Sequence, residues 1–238
     1  MGFEWIDYRG LALNDRSGEQ DVQELSQYLI ASECVFLTIS GEYLQYSVVP
    51  TTVRDVKSDR MNQFLQQYIS RNHQPTAEKP FPIVIIITKY DLCKHRDKEE
   101  VIEDVKKLFQ ALFTPDSGWL VMICPVSLGK ELESDVENGV IIPVNVHLPI
   151  VFAVYAQLRT HGLFLKTKRD RLKDNLQQIN QQNRLKKFLA KSEQENQSSE
   201  LELIKNQLEI VKENMGLLAQ ELQQVSLFLG DKEVTADV

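Results

Sequence analysis

The sequence is poor in cysteine and has no cysteine pair at a metal-binding or disulfide spacing. Its 238 residues include three cysteines, Cys34, Cys93 and Cys124, and no C-x-x-C. An odd number without that spacing indicates neither a disulfide framework nor a zinc site. All three lie in or beside apolar runs, so we expect buried free thiols in a reducing compartment.

Targeting and membrane-spanning features are also missing. The N-terminal residues, Met1–Trp5, contain no basic stretch followed by a long apolar run, so no signal peptide is predicted. The most apolar long window, Val140–Leu158, is interrupted by two prolines, an asparagine and a histidine, so we expect no transmembrane segment. These observations predict a cytoplasmic protein.

Positive charge is not in excess. The chain has 27 basic residues against 34 acidic ones, a net charge of −7, which argues against a basic nucleic-acid-binding protein. The hydrophobic fraction of 42 % and the charged fraction of 26 % are ordinary for a chain with a packed core, and they exclude a wholly disordered or collagen-like chain.

Short apolar runs alternate with amphipathic helical stretches up to about Gly162. The predicted strands are Phe3–Ile6, Cys34–Ile39, Phe81–Thr88 and Trp119–Cys124. The predicted helices are residues 19–30, 56–70, 97–113 and 148–159. The last three strands are continuous apolar runs, as in strands covered on both faces. This alternation predicts an α/β fold with a parallel sheet and flanking helices.

Beyond Gly162 no strand-like run is recognised. Residues 163–191 hold nine basic and two acidic residues, net +7, whereas residues 192–238 hold three basic and ten acidic ones, net −7. In the second stretch, apolar residues recur at alternating steps of three and four, as in the heptad seam of a coiled coil. The seam residues are Leu201, Ile204, Leu208, Val211, Met215, Leu218, Leu222, Val225 and Leu229.

The chain is thus predicted to have three segments. Residues 1–162 form the α/β domain, residues 163–230 a helical coiled-coil hairpin, and residues 231–238 a disordered tail. We expect the hairpin to turn near Ser192–Ser199, because antiparallel packing then places arms of opposite charge side by side. One continuous helix is the alternative, since no proline or glycine interrupts the turn.

The sharpest motif follows the third predicted strand, where Phe81–Thr88 runs into Lys89-Tyr-Asp91 as T-K-x-D. A carboxylate at a strand end can accept two hydrogen bonds from the guanine N1–H and N2 amino group, a pair that adenine does not offer. The stem of Lys89 can lie along the base, and Thr88 can tether neighbouring loops. The other interpretation is an ordinary surface turn, because such a match arises by chance in roughly one chain in ten of this length.

Two further motifs follow strands in a matching order. Asp7-x-x-Gly10 resembles the motif that faces Mg²⁺ and the terminal phosphate, where Gly10 lets its backbone N–H approach the phosphate. Ser127-Leu128-Gly129 resembles the loop whose backbone N–H contacts the guanine O6. All three motifs come at carboxyl ends of strands, where open α/β sheets bind ligands.

Taken together, the three motifs resemble those of P-loop GTPases related to Ras and to translation factors. Residues 3–160 also look like the bacterial double-GTPase proteins of prokaryotic conflict systems, through Trp5–Gly10, Ser40–Leu44 and a Pro-Val-Ser before Pro143. The resemblance implies a P-loop GTPase-like sheet, GTP or GDP as ligand, and Mg²⁺ held through a water on Asp7. The residues that it assigns to the nucleotide are Asp7, Gly10, Thr88, Lys89, Asp91, Ser127 and Leu128.

The sequence departs from the GTPase pattern in three places. Leu11 stands where Ras-like enzymes have the glutamine that orients the attacking water, and Leu128 stands where the loop usually has alanine. No G-x-x-x-x-G-K-[ST] occurs in the chain, so the P-loop strand and helix are missing from residues 1–162. We interpret the chain as a truncated or mis-started copy of a longer GTPase and leave its catalytic residues unassigned.

Two functions are compatible with these residues. The first is a guanine-nucleotide-binding switch whose helical tail contacts a protein partner. Alone, this chain would bind GTP weakly or not at all, and it would hydrolyse GTP only where the P-loop is supplied. The second is a non-catalytic scaffold that keeps a GTPase-derived fold and presents a coiled coil. The ordered motifs at Asp7, Asp91 and Ser127 favour the first, while the missing phosphate loop together with Leu11 favours the second.

Overall fold

The structure, a computed structural model, describes residues 4, 6, 19–129, 138–181 and 191–236. The chain divides into two compact units, Met1–Ile150 with Gln224–Thr235, and Val151–Gln223 with Ala236–Val238. Of the predicted strand at residues 3–6, only Glu4 and Ile6 are described, and neither lies in a strand.

The first unit combines helices with a five-stranded sheet. Its helices are α1 (Glu19–Ala31), α2 (Pro50–Val56), α3 (Ser58–Leu65) and α4 (Lys98–Leu108). Its strands are β1 (Val35–Ser40), β2 (Phe81–Thr88), β3 (Trp119–Pro125), β4 (Ser226–Leu229) and β5 (Lys232–Val234). Helix α3 continues through a π-helical turn and one further turn to His73. Short 3₁₀ turns at Gly41–Leu44, Tyr90–Cys93 and Gln110–Phe113 follow β1, β2 and α4.

The prediction of an α/β fold is confirmed, but the sheet is mixed rather than wholly parallel. The strand order is β1-β2-β3-β4-β5, with β1, β2 and β3 parallel. Strand β4 runs antiparallel to β3, and β5 antiparallel to β4. The hairpin between β4 and β5 turns at Gly230, whose φ of +59° suits glycine. The sequence predicts that Val225 and Leu229 continue the heptad seam, but Val225 lies in a bend and Leu229 in β4, so this prediction is wrong for both residues. The prediction that residues 231–238 are disordered is wrong for Lys232–Val234, which forms β5.

The central strands match the sequence pattern closely. Strand β2 spans the predicted residues, β1 is shifted by one residue at both ends, and β3 is one residue longer than predicted at its carboxyl end. Ile83, Val84 and Ile85 are all fully buried, so both faces of β2 are covered, as its continuous apolar run predicts. Helix α4 begins after Asp97, whose side chain accepts a hydrogen bond from the backbone N–H of Glu99.

The helix predicted at residues 56–70 is instead divided. Its first part begins earlier, at Pro50, and a break falls at Lys57, which has a left-handed φ of 57°. Helix α3 then starts at Ser58. The helix predicted at residues 97–113 ends at Leu108, and a 3₁₀ turn takes its place. Single-residue breaks of this kind depend on tertiary packing, which apolar periodicity does not record.

The second unit is built from two long helices, α5 (Leu148–Gln181), which begins in the first unit, and α6 (Lys191–Glu221). Lys168 Nζ lies 2.6 Å from Glu200 Oε1, and a Cβ at Gly162 would lie 3.3 Å from Val211 Cγ1. The earlier residue of α5 thus meets the later residue of α6, so the two helices run antiparallel at these contacts. Coiled-coil packing of their seam stays a prediction.

Two predicted boundaries in this region are wrong. Gly162 lies inside α5 rather than at a domain edge, because the chain offers no second breaker beside it. Ser192–Ser199 is helical rather than a turn. Its glutamates and glutamines are good helix formers, and Ser199 Oγ donates to the Glu195 carbonyl one turn earlier, at 3.1 Å.

One described helix is long and apolar enough to cross a membrane when judged by length and composition alone. The qualifying stretch is Leu148–Ile179, and 44 % of its most apolar window is buried inside the protein. Buried core helices of soluble proteins pass the same test, so this helix alone is weak evidence for a membrane span.

Candidate functional site

The structure brings the T-K-x-D segment and the Ser127 loop to one edge of the sheet. Strands β2 and β3 are parallel neighbours, so both segments leave the sheet at its carboxyl edge. The backbone N–H of Tyr90 donates to the Val126 carbonyl at 3.1 Å, and the N–H of Val126 donates to Ile87 at 2.8 Å. Asp91 directly follows Tyr90, and Ser127 directly follows Val126. The hydrogen bond between Tyr90 and Val126 therefore brings Asp91 and Ser127 close together, as the sequence predicts.

Asp91 is a buried carboxylate in the 3₁₀ turn after β2. Its exposed fraction is 9 %. Among the residues that the structure describes, no hydrogen-bond donor reaches its side chain. Its carboxylate oxygens are not fully buried, because the described side-chain atoms that are buried without a partner are Ser58 Oγ, Asn62 Oδ1 and Gln197 Oε1. Asp91 therefore has the free acceptor capacity that recognition of a donor pair requires.

Thr88 and Lys89 both reach toward the end of β1. Thr88 Oγ1 donates to the Ile39 carbonyl at 3.4 Å, a long bond that joins the ends of β1 and β2. Lys89 adopts a left-handed φ of 51°, and its Nζ pairs with Glu42 Oε1 at 2.6 Å. The hydrogen bond from Lys89 and its charge hold the pKa of the Glu42 carboxyl below its usual range. Both side chains are about half exposed, so this pair adds little stability.

Gly41 allows the β1 turn to approach the T-K-x-D segment closely. A Cβ at Gly41 would lie 2.6 Å from the backbone oxygen of Lys89 and 3.1 Å from Cys93 Sγ. Cys93 Sγ also donates to the Gly41 carbonyl, at 3.2 Å. The backbone position of Lys89 therefore depends on the absence of a side chain at position 41.

Replacing Gly41 by alanine is expected to destabilise the first unit by about 1–3 kcal/mol, because the obstructing atom belongs to the backbone and cannot turn aside. Urea unfolding followed by the fluorescence of the buried Trp119 measures this loss. The matched control is Gly216→Ala in the interior of α6, which is expected to gain up to about 1 kcal/mol from helix propensity. An unchanged midpoint for Gly41→Ala contradicts the close approach.

Ser127 and Leu128 form a short antiparallel pairing with the segment after residue 138. Ser127 is 4 % exposed and forms a bridge with Val144, whose N–H donates to the Ser127 carbonyl at 2.9 Å. The Leu128 carbonyl accepts from the N–H of Ile142 at 2.9 Å. The Leu128 side chain remains 46 % exposed. These bonds fix the backbone of the loop that the sequence assigns to the guanine O6.

The predicted magnesium and phosphate residues, Asp7 and Gly10, lie outside the described residues, as does Leu11. Within the described part of the chain, no group of three or more His, Cys, Asp or Glu side chains is arranged to hold a metal ion. The described carboxyl edge thus contains the predicted base-contacting residues. The predicted contacts of Asp7 and Gly10 with magnesium and phosphate stay a prediction.

An ion pair that sequence reasoning missed supports the loop after β1. Arg96 Nη1 donates to the carbonyls of Leu44 and Tyr46 at 2.8 and 3.1 Å, and its Nη2 lies 2.8 Å from Asp104 Oδ2. The Arg96 and Asp104 side chains are 7 % and 2 % exposed. Although burial pushes the pKa of the Asp104 carboxyl upward, hydrogen bonds from Lys107 and Arg96 hold that pKa below its usual range. No spacing rule joins residues eight apart, so no sequence signal indicated this pair.

The described part of the first unit also has two open clefts. One is lined by Arg96 and by acidic residues of α4, and the other by amide side chains of α3 and Gln110. Neither is lined by Asp91 or Ser127.

The three thiols are unsuited to nucleophilic chemistry. Burial raises the pKa of the Cys34 and Cys124 thiols to about 12, and burial also raises the pKa of Cys93. Cys93 and Cys124 are buried as predicted, whereas Cys34 is half-buried. Comparisons of the chain with protein-family models, with curated proteins and with solved structures find no match.

Proposed function

We propose that this chain is a guanine-nucleotide-binding, GTPase-like protein whose base-recognition half is formed by Thr88, Lys89, Asp91, Ser127 and Leu128. The observation that carries the proposal is the buried Asp91 carboxylate, 9 % exposed and without a described hydrogen-bond donor, next to the backbone-paired Ser127 loop. Its ligand would be GTP or GDP, with Mg²⁺ held through a water on Asp7.

The chemistry of this edge favours guanine over adenine. The Asp91 carboxylate accepts from N1–H and the N2 amino group together, while a backbone N–H of the Ser127–Leu128 loop donates to O6. One bidentate pair of this type discriminates between bases by about 1–3 kcal/mol. Adenine presents an acceptor at N1 and an amino group at position 6, so both interactions fail.

Phosphate affinity is expected to be low, because the chain has no G-x-x-x-x-G-K-[ST]. In GTPases, backbone amides and a lysine of that loop neutralise the β- and γ-phosphates. GTP with Mg²⁺ should therefore bind with a dissociation constant of about 1 mM or weaker, and hydrolysis should be negligible. Leu11 removes the usual water-orienting group as well.

Amide NMR shifts of the full chain, titrated with GMP and separately with AMP, test both points. GMP at millimolar concentration should shift the amides around Asp91 and Ser127, and AMP should not. Equal shifts with the two nucleotides, or none with either, reject the guanine site. Micromolar GTP affinity abolished by Asp91→Ala would support the base site and contradict the low phosphate affinity.

The second candidate is a non-catalytic interaction protein that uses the same fold. The missing phosphate loop favours it, since the loop lysine that neutralises the triphosphate in GTPases is missing with that loop. In this case the long helices α5 and α6 would carry the function by contacting a protein partner. A chain that is folded by circular dichroism but unresponsive to GMP favours this second function over the first.

A further inference from the structure

The short turn after β1 is fastened to the segment that follows β2. This turn, Gly41–Leu44, faces residues 88–96. Cys93 Sγ donates to the carbonyl of the first residue of the turn at 3.2 Å, and Arg96 Nη1 donates to the carbonyl of its last residue at 2.8 Å. Both ends of the turn are therefore held by side chains of the segment that contains the T-K-x-D motif.

Lys89 is held by this turn at both its backbone and its ammonium group. Its backbone has a left-handed φ of 51°, and a Cβ at Gly41 would lie 2.6 Å from its carbonyl oxygen. Its Nζ lies 2.6 Å from Glu42 Oε1. Glu42 is itself placed by the turn, because its backbone N–H donates to Ser40 Oγ at 3.3 Å. The four-carbon stem of Lys89 is therefore held between two fixed points.

The stem of Lys89 offers an apolar surface next to Asp91. The Lys89 side chain is 56 % exposed, and Lys89 comes immediately before the 3₁₀ turn that contains Asp91. Lysine methylenes pack on apolar surfaces while the ammonium group stays in water. A free lysine stem loses rotamer freedom when it packs on a planar base, whereas a stem that is ordered in advance loses little. The ion pair with Glu42 thus favours base binding without contacting the base.

We propose that Glu42 is a positioning residue of the guanine site, which holds the ammonium group of Lys89 so that the lysine stem is ordered before a base binds. This inference rests on the proposed guanine site and adds the turn after β1 to it. The uncharged nucleoside guanosine is the suitable probe, because loss of the Glu42 charge would also change the affinity for a phosphate group.

NMR titrations of the full chain with guanosine measure the effect. Glu42→Gln should weaken guanosine binding about three- to tenfold, the range expected when one long side chain has to be ordered on binding. The matched control is Glu103→Gln, which breaks the ion pair of Glu103 with Lys106, 2.8 Å apart in α4, and should leave the affinity unchanged. If the wild type responds to guanosine and Glu42→Gln binds it equally well, the inference is wrong and the guanine site stands.

A double-mutant cycle separates positioning from a purely structural role. Lys89→Met keeps an unbranched stem but removes the charge, so Glu42→Gln should have no further effect on guanosine affinity in that background. The urea midpoint of Glu42→Gln should stay at the wild-type value, because a half-exposed ion pair adds little stability. An equal loss of affinity in both backgrounds, or a loss that accompanies a lowered midpoint, would show that Glu42 does not act by positioning Lys89.

The mobility of the Lys89 side chain in the free protein provides a readout without ligand. Carbon-13 relaxation at Lys89 Cε should show a more mobile side chain in Glu42→Gln than in the wild type. Equal mobility in the two proteins overturns the inference even where guanosine binds. If the mobility differs but the wild type does not respond to guanosine, the guanine site is wrong, and the role of Glu42 in base binding is rejected with it.

Discussion

Replacing Asp91 by asparagine is expected to change the preferred base from guanine to xanthine. The amide keeps one acceptor for N1–H but places a donor where the carboxylate accepted from the N2 amino group. Xanthine carries an oxygen at that position, so it gains the hydrogen bond that guanine loses. Because a bidentate hydrogen-bond pair to a base contributes about 1–3 kcal/mol, the ratio of the affinities for guanine and xanthine should change by about 10–100-fold.

NMR titrations with GMP and XMP measure this change. The wild-type chain should respond to GMP and the variant to XMP, at the same amides around Ser127. Asp59→Asn is the matched control, because it makes the same chemical change at an exposed carboxylate in the first turn of α3. Its preference should remain with GMP. A variant at position 91 that still prefers GMP would show that Asp91 does not read the base.

Replacing Arg96 by methionine is expected to destabilise the first unit by about 3 kcal/mol. The change keeps an apolar stem but leaves Asp104, 2 % exposed, with Lys107 as its remaining cationic partner among the described residues. Removing one member of a buried pair costs several kcal/mol because a buried charge is left poorly compensated. The carbonyls of Leu44 and Tyr46 also lose their donor, which loosens the loop after β1.

Urea unfolding monitored by Trp119 fluorescence measures the loss, with Arg54→Met as control. Arg54 pairs with Asp55 at 3.7 Å on the surface, where the two side chains are 78 % and 58 % exposed, so its replacement should cost under about 0.5 kcal/mol. Equal effects of the two substitutions would contradict the importance assigned to the buried pair.

The same pair predicts a pH dependence. The pKa of Asp104 is lowered in the folded state, so the stability it adds is present above its unfolded pKa and is lost as pH falls through the folded value. Without Arg96 that pKa is lowered less, and there is less stability to lose. The stability difference between the wild type and Arg96→Met should therefore shrink below about pH 4. A difference that stays constant to pH 3 would argue against this linkage.

The local sequence pattern was sufficient to predict the central strands and the proximity of Asp91 to Ser127. Strand β2 needs apolar residues on both faces, and its run of eight residues provides them in any context. Because β2 and β3 are parallel neighbours, segments that directly follow them must leave at the same edge. The N-cap at Asp97 is likewise a local interaction that sequence reveals.

Other features depended on contacts between residues far apart in the chain. Ser226–Leu229 is too short for its apolar residues to distinguish a strand from the end of a heptad seam, and its pairing with β3 decides between them. The break at Lys57 and the pairing of Arg96 with Asp104 arise only once neighbouring elements have packed. The low exposure of Asp91 belongs to this class as well, because a motif names a residue type but only the folded chain decides how much of that residue solvent can reach. The physical reason is common to all four: hydrogen-bond satisfaction and solvent exclusion are properties of assembled surfaces, whereas periodicity and capping act within a few residues.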